Sequence, residues 1–368
     1  MVSFLDQPEK IRKIDKSEML SHLTKTPYYC QDAINRAIQV KVPKNEKPEN
    51  IIISGMGGSA IGGEILRDWL RDRLPIPIDI CKDYTLPAYA GKDTLFFANS
   101  YSGNTEETLS AFLEAVRRKC LTITITSGGH LLSFSKKLQV PYVVIPNHLP
   151  PRVAIPYLFF PLPIFMEQMG LLSSVVENLQ ETVQILKKVG RENSTKIPME
   201  DNPSKKMASK LSGTIPVVYG FGQYQSIARR LKTQFNENSK VPSRYDVFPE
   251  LNHNETVGWE ASETFTRNYS VILIRDNEEP PEISSRIETT KSFALRKPKK
   301  VLEIHASGKG KLAKMFSVLH IGDFVSIYLA ILQNVDPTPV KVIDRIKTEM
   351  KEKFDVVKML QAEIQKLI

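Results

Sequence analysis

The stretch Ile51-Ile52-Ile53-Ser54-Gly55-Met56-Gly57-Gly58-Ser59-Ala60 decides the class of fold. Ile51–Ser54 is a short apolar run with turn signals behind it, which reads as a buried strand. Ala60–Leu70 then reads as a helix. The glycines between them permit positive φ and leave backbone N–H groups bare. Those amides and the positive end of the helix form an anion site. Gly57 and Gly58 supply the amides and Ser59 adds a hydroxyl donor. A dinucleotide site is disfavoured, because the spacing is not GxGxxG with an acidic residue about twenty positions on. No GK[ST] follows, so the loop is not a nucleotide P-loop either. By itself the motif is equally a tight strand–helix turn without a ligand.

Outward from this loop, short apolar runs alternate with amphipathic stretches. Ile76–Cys81, Thr94–Asn99, Leu121–Thr126 and Tyr142–Ile145 read as strands. Glu106–Lys119 reads as a helix with Leu109, Phe112, Leu113 and Val116 on one stripe. This alternation predicts an α/β fold with a parallel sheet covered on both faces. Val153–Lys188 reads as mostly helical. A second block then repeats the plan: strand Ile215–Gly220, helix Ser226–Phe235, strands Tyr269–Arg275 and Val301–Ile304, and a long apolar helix Met315–Leu332. The strand–glycine starts IIISGMGGSA and IPVVYGFGQY look like weak repeats. For a chain of 368 residues, two copies of one α/β unit explain the length better than one large domain. The expected division is a helical extension over 1–45, a first lobe over 46–190, a polar linker over 191–206 and a second lobe over 207–368 that ends in helices. The extension is expected to pack over the first lobe.

Composition narrows the partners. Hydrophobic residues make up 41% and charged residues 25%, so the chain is not disordered. The net charge is +9, but Lys and Arg are scattered. The densest clusters, Lys297-Pro298-Lys299-Lys300 and Lys309–Lys314, lack the interleaved aromatics of a single-strand groove, so no nucleic-acid partner is expected. The 3 cysteines, Cys30, Cys81 and Cys120, form no close pairs, which fits a reducing compartment and excludes a cysteine-rich zinc site. The start has no signal-peptide core. The apolar stretch Val153–Met166 is too short to span a bilayer and carries prolines. The expectation is a cytoplasmic protein without membrane contact.

The second motif is Asn99-Ser100-Tyr101-Ser102-Gly103-Asn104-Thr105-Glu106-Glu107-Thr108. Ser100, Ser102 and Thr105 place three short hydroxyls beside another helix start, and with the nearby amides they suit a phosphate dianion. A plain helix cap by Thr105 is the alternative. One hydroxyl explains a cap; three at the carboxyl end of a central strand point to a ligand at the switch point of the sheet.

GMGGSA followed by SYSGNTEET resembles the SIS (sugar isomerase) family of phosphosugar-binding domains, and duplicated lobes of this length are similar to the phosphoglucose isomerase superfamily. Pro150-Pro151-Arg152, Asn236-Glu237-Asn238-Ser239-Lys240 and Pro249-Glu250-Leu251-Asn252-His253-Asn254-Glu255 resemble, more specifically, the bifunctional phosphoglucose/phosphomannose isomerases. The resemblance runs from about Ile51 to Lys347. It implies two SIS-type three-layer αβα lobes with mainly parallel sheets plus a C-terminal helical segment. The implied activity is aldose–ketose isomerisation of glucose 6-phosphate, and of mannose 6-phosphate, with fructose 6-phosphate through a cis-enediol(ate).

Such chemistry needs a base on one face of the sugar, a ring-opening group and positive charge near the enediolate oxygens. The resemblance assigns Glu237 as the base and His253 as the ring opener, reaching in from the partner subunit of a homodimer. Arg152 is assigned to the enediolate charge; its place after Pro151 fits a fixed, ligand-facing position. Lys347, with Lys341 in reserve, matches the family's C-terminal lysine beside the ring oxygen. Thr338 is the one threonine of its segment before Lys347 and is the candidate for tolerance of both C2 epimers. Glu250 and Glu255 either orient His253 or are solvated or capping carboxylates. The other histidines show no ligand spacing, so neither metal nor cofactor is expected. Two other readings stay open. One is a different SIS isomerase or aminosugar enzyme, against which no glutaminase-like cysteine stands at the start. The other is a non-catalytic phosphosugar sensor, against which residues 1–45 are short for a DNA-binding module.

Overall fold

A computed structural model describes residues 3–364. The chain divides into two compact units, each gathered from two separate stretches. The first lobe comprises Tyr28–Glu177 and the residues from Val340 onward; the second comprises the residues up to Pro27 and Asn178–Pro339. Both are three-layer αβα lobes built on a parallel sheet.

The first lobe holds strands β1 (Asn50–Ser54), β2 (Ile78–Cys81), β3 (Thr94–Ser100), β4 (Leu121–Thr126) and β5 (Tyr142–Val144) in the order β2-β1-β3-β4-β5, all parallel. Ile51, Ile52 and Ile53 are fully buried, as a central strand covered on both faces requires. Burying each stabilises the lobe by roughly 2 kcal/mol. After β1 the chain goes to β2 on one side, then returns to β3 on the other. The carboxyl ends of β1 and β3 therefore flank a switch point, the place where open α/β sheets bind ligands. At the far end of the chain, helix Val356–Ile364 packs on helix Glu106–Arg117. Leu360 and Ile364 join Leu109, Phe112 and Phe134 in one apolar cluster, and Arg117 pairs with Glu363 at 2.7 Å.

The second lobe holds β6 (Ile215–Phe221), β7 (Arg244–Phe248), β8 (Tyr269–Arg275) and β9 (Lys300–His305) in the order β7-β6-β8-β9, again parallel. Its core is helix Lys311–Leu332, against which helices Met19–Thr24, Pro203–Leu211 and Gln225–Gln234 pack. This helix is long and apolar enough to cross a membrane by composition alone, with mean hydropathy 1.8, yet 89% of that apolar window is buried inside the structure. β7 is the strand that periodicity misses. It is an edge strand whose Arg244, Tyr245 and Asp246 keep partial contact with solvent, so no apolar run marks it.

Two features depart from the expected division. Residues 1–45 do not form one extension over the first lobe. Met19, Leu20 and Leu23 are buried in the second lobe, and the Asp15 carboxylate accepts the backbone N–H groups of Met19 (2.8 Å) and Leu20 (3.0 Å) at the start of their helix. The polar stretch read as a linker is pinned inside the same lobe. Buried Lys205 donates to the Asp6 carboxylate (2.8 Å), to Thr195 O (3.2 Å) and to Ile197 O (2.7 Å), and Asn193 Oδ1 accepts from Ser204 Oγ at 2.6 Å. Its polarity serves internal hydrogen bonds, which composition cannot distinguish from solvation.

Candidate active site

In the first lobe, three loops meet at the carboxyl ends of β1, β3 and β4. Gly57 has φ 52° and is exposed, Gly58 opens helix Gly58–Leu70, and Ser59 is buried. Tyr101 N–H donates to Ser59 Oγ at 3.3 Å, and Asn99 Nδ2 donates to Ser59 O at 3.0 Å, so the two motifs form one surface.

The Ser100–Thr105 loop curls on itself. Ser100 Oγ accepts Gly103 N–H at 3.1 Å and shares a hydrogen bond of 2.9 Å with Thr105 Oγ1. Ser102 is exposed, and its Oγ accepts Asn104 N–H at 3.2 Å. Thr105 stands at the N-cap of helix Glu106–Arg117 but makes no side-chain capping bond. The plain-cap reading of Thr105 is thereby removed. The hydroxyl lies in the loop, and the helix amides stay available to an anion.

Sequence reading missed the third loop, Ser127-Gly128-Gly129, which leads into helix Gly129–Lys137. Ser127 Oγ donates to Tyr101 O at 2.6 Å, and His130 N–H donates to Asn104 Oδ1 at 3.0 Å. Gly103, at φ 67°, is packed so closely that a Cβ would lie 1.9 Å from Gly128 O. The glycine pair directly after strand Leu121–Thr126 was the available signal.

Arg152 is buried in the 3-10 turn Pro151–Val153. Pro151 O lies 3.7 Å from where a Cβ on Gly58 would be, which sets this turn against the glycine loop. Tyr101 holds the approach to the turn: its hydroxyl donates to Leu149 O at 2.8 Å and accepts Leu149 N–H at 2.9 Å. Burial pushes the Tyr101 phenol up from its ordinary value, and the bond to Leu149 opposes this in part. Gly57, Gly58, Ser59, Ser100, Ser102, Thr105 and Arg152 thus share one end of one lobe. Lys347 and Lys341 lie apart, exposed on helix Lys341–Lys353, none of whose residues is buried.

The second lobe carries Glu237 and His253 on segments either side of β7. Glu237 sits half-buried in a π-turn, Phe235–Ser239, that ends helix Gln225–Gln234. Such wide turns gather at functional sites. The turn is anchored on the core helix: Asn238 Nδ2 donates to Ser326 Oγ at 2.9 Å and Ser239 Oγ to Ser326 O at 2.6 Å. His253 ends the 3-10 turn Glu250–His253 and is exposed. The two nearby carboxylates have other work. Glu250 accepts Asn254 Nδ2 at 3.0 Å; Glu255 accepts the Tyr219 hydroxyl at 3.0 Å and pairs with Arg244 at 3.2 Å.

At the equivalent switch point of the second lobe, no hydroxyl set follows the glycine loop. Instead, the Tyr224 hydroxyl donates to Asp276 at 2.5 Å, and Lys314 reaches Asp276 at 2.9 Å. Burial would push the Asp276 carboxyl up, but those two bonds hold it below its ordinary value. The second lobe thus carries an internal ion pair at this position. Among the described residues, no three His, Cys, Asp or Glu side chains converge as a metal-ion site.

Comparison with known proteins identifies the family. Residues 200–350 match the model of the bacterial phospho-glucose isomerase C-terminal SIS domain. Over 320 residues the chain is 40% identical to a bifunctional phosphoglucose/phosphomannose isomerase of Caldicellulosiruptor bescii, covering 87% of this chain and 94% of that one. A bifunctional phosphoglucose/phosphomannose isomerase of Aquifex aeolicus is 35% identical, covering 83% of this chain and 91% of its own. The crystal structure of a glucose-6-phosphate isomerase like protein from Thermus thermophilus superposes with a TM-score of 0.64 over 92% of this chain and 99% of that one; at 18% identity it speaks for the fold alone. On this likeness, and with its NENSK and PELNHNE segments in the second lobe, the chain belongs to the family of bifunctional phosphoglucose/phosphomannose isomerases.

Proposed function

We propose that the protein interconverts glucose 6-phosphate and fructose 6-phosphate, and mannose 6-phosphate and fructose 6-phosphate, as a cytoplasmic homodimer without a resident metal or cofactor. The reading is carried by the Ser100–Thr105 loop. Its hydroxyls lie at the switch point of the first lobe, beside a helix start that Thr105 does not cap. Ser59, Ser100, Ser102 and Thr105 hydroxyls and the Gly57 and Gly58 amides hold the phosphate dianion.

Glu237 removes the proton from C2 as a carboxylate, leaving a cis-enediolate, and returns it to C1. Arg152 balances the charge that develops on the enediolate oxygens. His253 of a second copy passes a proton between the ring oxygen and the anomeric hydroxyl, a task suited to imidazole. This assignment is supported by the exposure of His253 on its own lobe. Lys347, with Lys341 in reserve, is the lysine that the family resemblance assigns to the ring oxygen, although both are exposed on helix Lys341–Lys353. Thr338 provides the tolerance of either C2 configuration.

The test is purified protein with fructose 6-phosphate, measuring glucose 6-phosphate and mannose 6-phosphate separately, with and without EDTA. Both products, unaffected by EDTA, are expected. Glucose 6-phosphate alone removes the epimer tolerance. Binding of fructose 6-phosphate with neither product overturns the isomerase reading in favour of a sensor or a different phosphosugar.

A further inference from the structure

We infer that Lys240 is a positioning residue for Glu237, its ammonium clamping the backbone of the turn that carries the base. The inference rests on the reading of Glu237 as the base. Helix Gln225–Gln234 ends in the π-turn Phe235–Ser239, and a helix end leaves carbonyl oxygens without intrahelical donors. Lys240 follows in the left-handed region, at φ 56°, which turns its side chain back over the turn. Its Nζ donates to Glu237 O at 2.5 Å, to Asn238 O at 3.4 Å and to Pro337 O at 3.0 Å. Pro337 belongs to the segment Asp336-Pro337-Thr338-Pro339, nearly a hundred residues further along the chain.

An ordinary lysine at a helix C-terminus bonds the last carbonyls of its own helix and stops there. Lys240 ties its own turn to a distant segment, and it does so at the residue whose side chain is the base. Asn238 and Ser239 are already fixed from the other side by Ser326. The carbonyl of Glu237 is the atom through which the ammonium holds the 237–238 peptide plane. Freeing that plane lets it rotate, and the rotation swings the attached carboxylate. The phosphate contacts belong to the other lobe and are untouched by this change.

The experiment compares Lys240→Met, Lys240→Gly and Glu237→Gln with the natural enzyme. Glycine accepts the left-handed conformation without strain, so Lys240→Gly keeps the turn while removing the ammonium. Both Lys240 variants are expected to lose kcat by about 10- to 100-fold, the loss that a misplaced reacting group of this kind produces. KM for fructose 6-phosphate is expected to change little. The deuterium isotope effect with 2-deuterated glucose 6-phosphate is expected to rise, because proton abstraction becomes slower relative to the other steps. A purely stabilising lysine lowers the melting temperature but leaves kcat and the isotope effect alone. That result in either folded variant, beside an inactive Glu237→Gln, overturns the clamp alone. A fully active Glu237→Gln overturns the base assignment and the clamp with it.

Discussion

The hydroxyl oxygens of Ser100 and Thr105 lie 2.9 Å apart in a hydrogen bond that closes their loop across a helix start. Ser100 also accepts the N–H of Gly103, so one buried hydroxyl sets both the loop and the donor beside it. A loop organised this way would meet the proposed phosphate preformed, with little rearrangement on binding.

Ser100→Ala tests that organisation. Losing a buried hydroxyl and stranding its partners costs about 1–3 kcal/mol, so KM for fructose 6-phosphate is expected to rise by roughly 10-fold or more. Steady-state kinetics and isothermal titration with inorganic phosphate both read it. Unchanged KM and phosphate affinity would exclude Ser100 from the anion site.

Gly62 stands where helix Gly58–Leu70 passes the backbone at Leu158, and a Cβ there would lie 2.5 Å from Leu158 O. Backbone cannot give way as a flexible side chain does. Gly62→Ala is expected to destabilise the protein by about 1–3 kcal/mol, seen as a lower thermal midpoint. Gly91, whose added Cβ meets nothing within 4 Å, is the control and is expected to tolerate alanine.

His320 is buried on the core helix of the second lobe, its ring 5.0 Å from that of Phe324, and its Nε2 has no hydrogen-bond partner among the described residues. Burial lowers its pKa from 6.5 to about 3. The unfolded chain therefore binds a proton below pH 6.5 that the folded chain refuses. The stability this residue contributes is present above pH 6.5 and is lost as pH falls from 6.5 toward 3, at about 1.4 kcal/mol per pH unit at most. Urea denaturation across that range should show the slope, and His320→Leu should flatten it. An equally steep slope in the variant would place the titration elsewhere.

The loop that bears His253 is tied down at Tyr219. Its hydroxyl donates to Glu255 at 3.0 Å and accepts the Trp259 indole N–H at 2.8 Å, and burial pushes the phenol far above its ordinary value. Tyr219→Phe strips the Trp259 indole N–H of its acceptor and leaves Glu255 with Arg244 alone, with an expected loss of about 1–3 kcal/mol. Faster amide exchange is expected across 250–260, with β6 and β8 remaining protected. Exchange that rises uniformly over the lobe would mean a global effect instead.

The central strands and the first glycine loop of each lobe were legible in the sequence because a buried parallel strand must be almost continuously apolar, as Ile51–Ser54 and Val271–Ile274 are. The candidate phosphate loop stood out for a similar reason: short hydroxyls gather at a strand–helix junction. Edge strand Arg244–Phe248 was not, because only Phe248 is buried and no apolar run marks it. The bonding of Glu255 and Thr105 also escaped, since a carboxylate or hydroxyl can serve several partners and its sequence neighbours do not say which.

The sequence alone determined the α/β class and the duplicated strand–glycine plan, which follow from local periodicity and turn chemistry; it pointed to a candidate anion site by motif, and the catalytic candidates Glu237, His253 and Lys347 were named by family resemblance. Only the tertiary structure decided that residues 19–24 belong with the second lobe, that the polar stretch after Glu192 is pinned rather than a free linker, and that Lys240 reaches Pro337. Those facts depend on which donors find which acceptors across long separations in the chain, and that pairing is set by packing, not by composition.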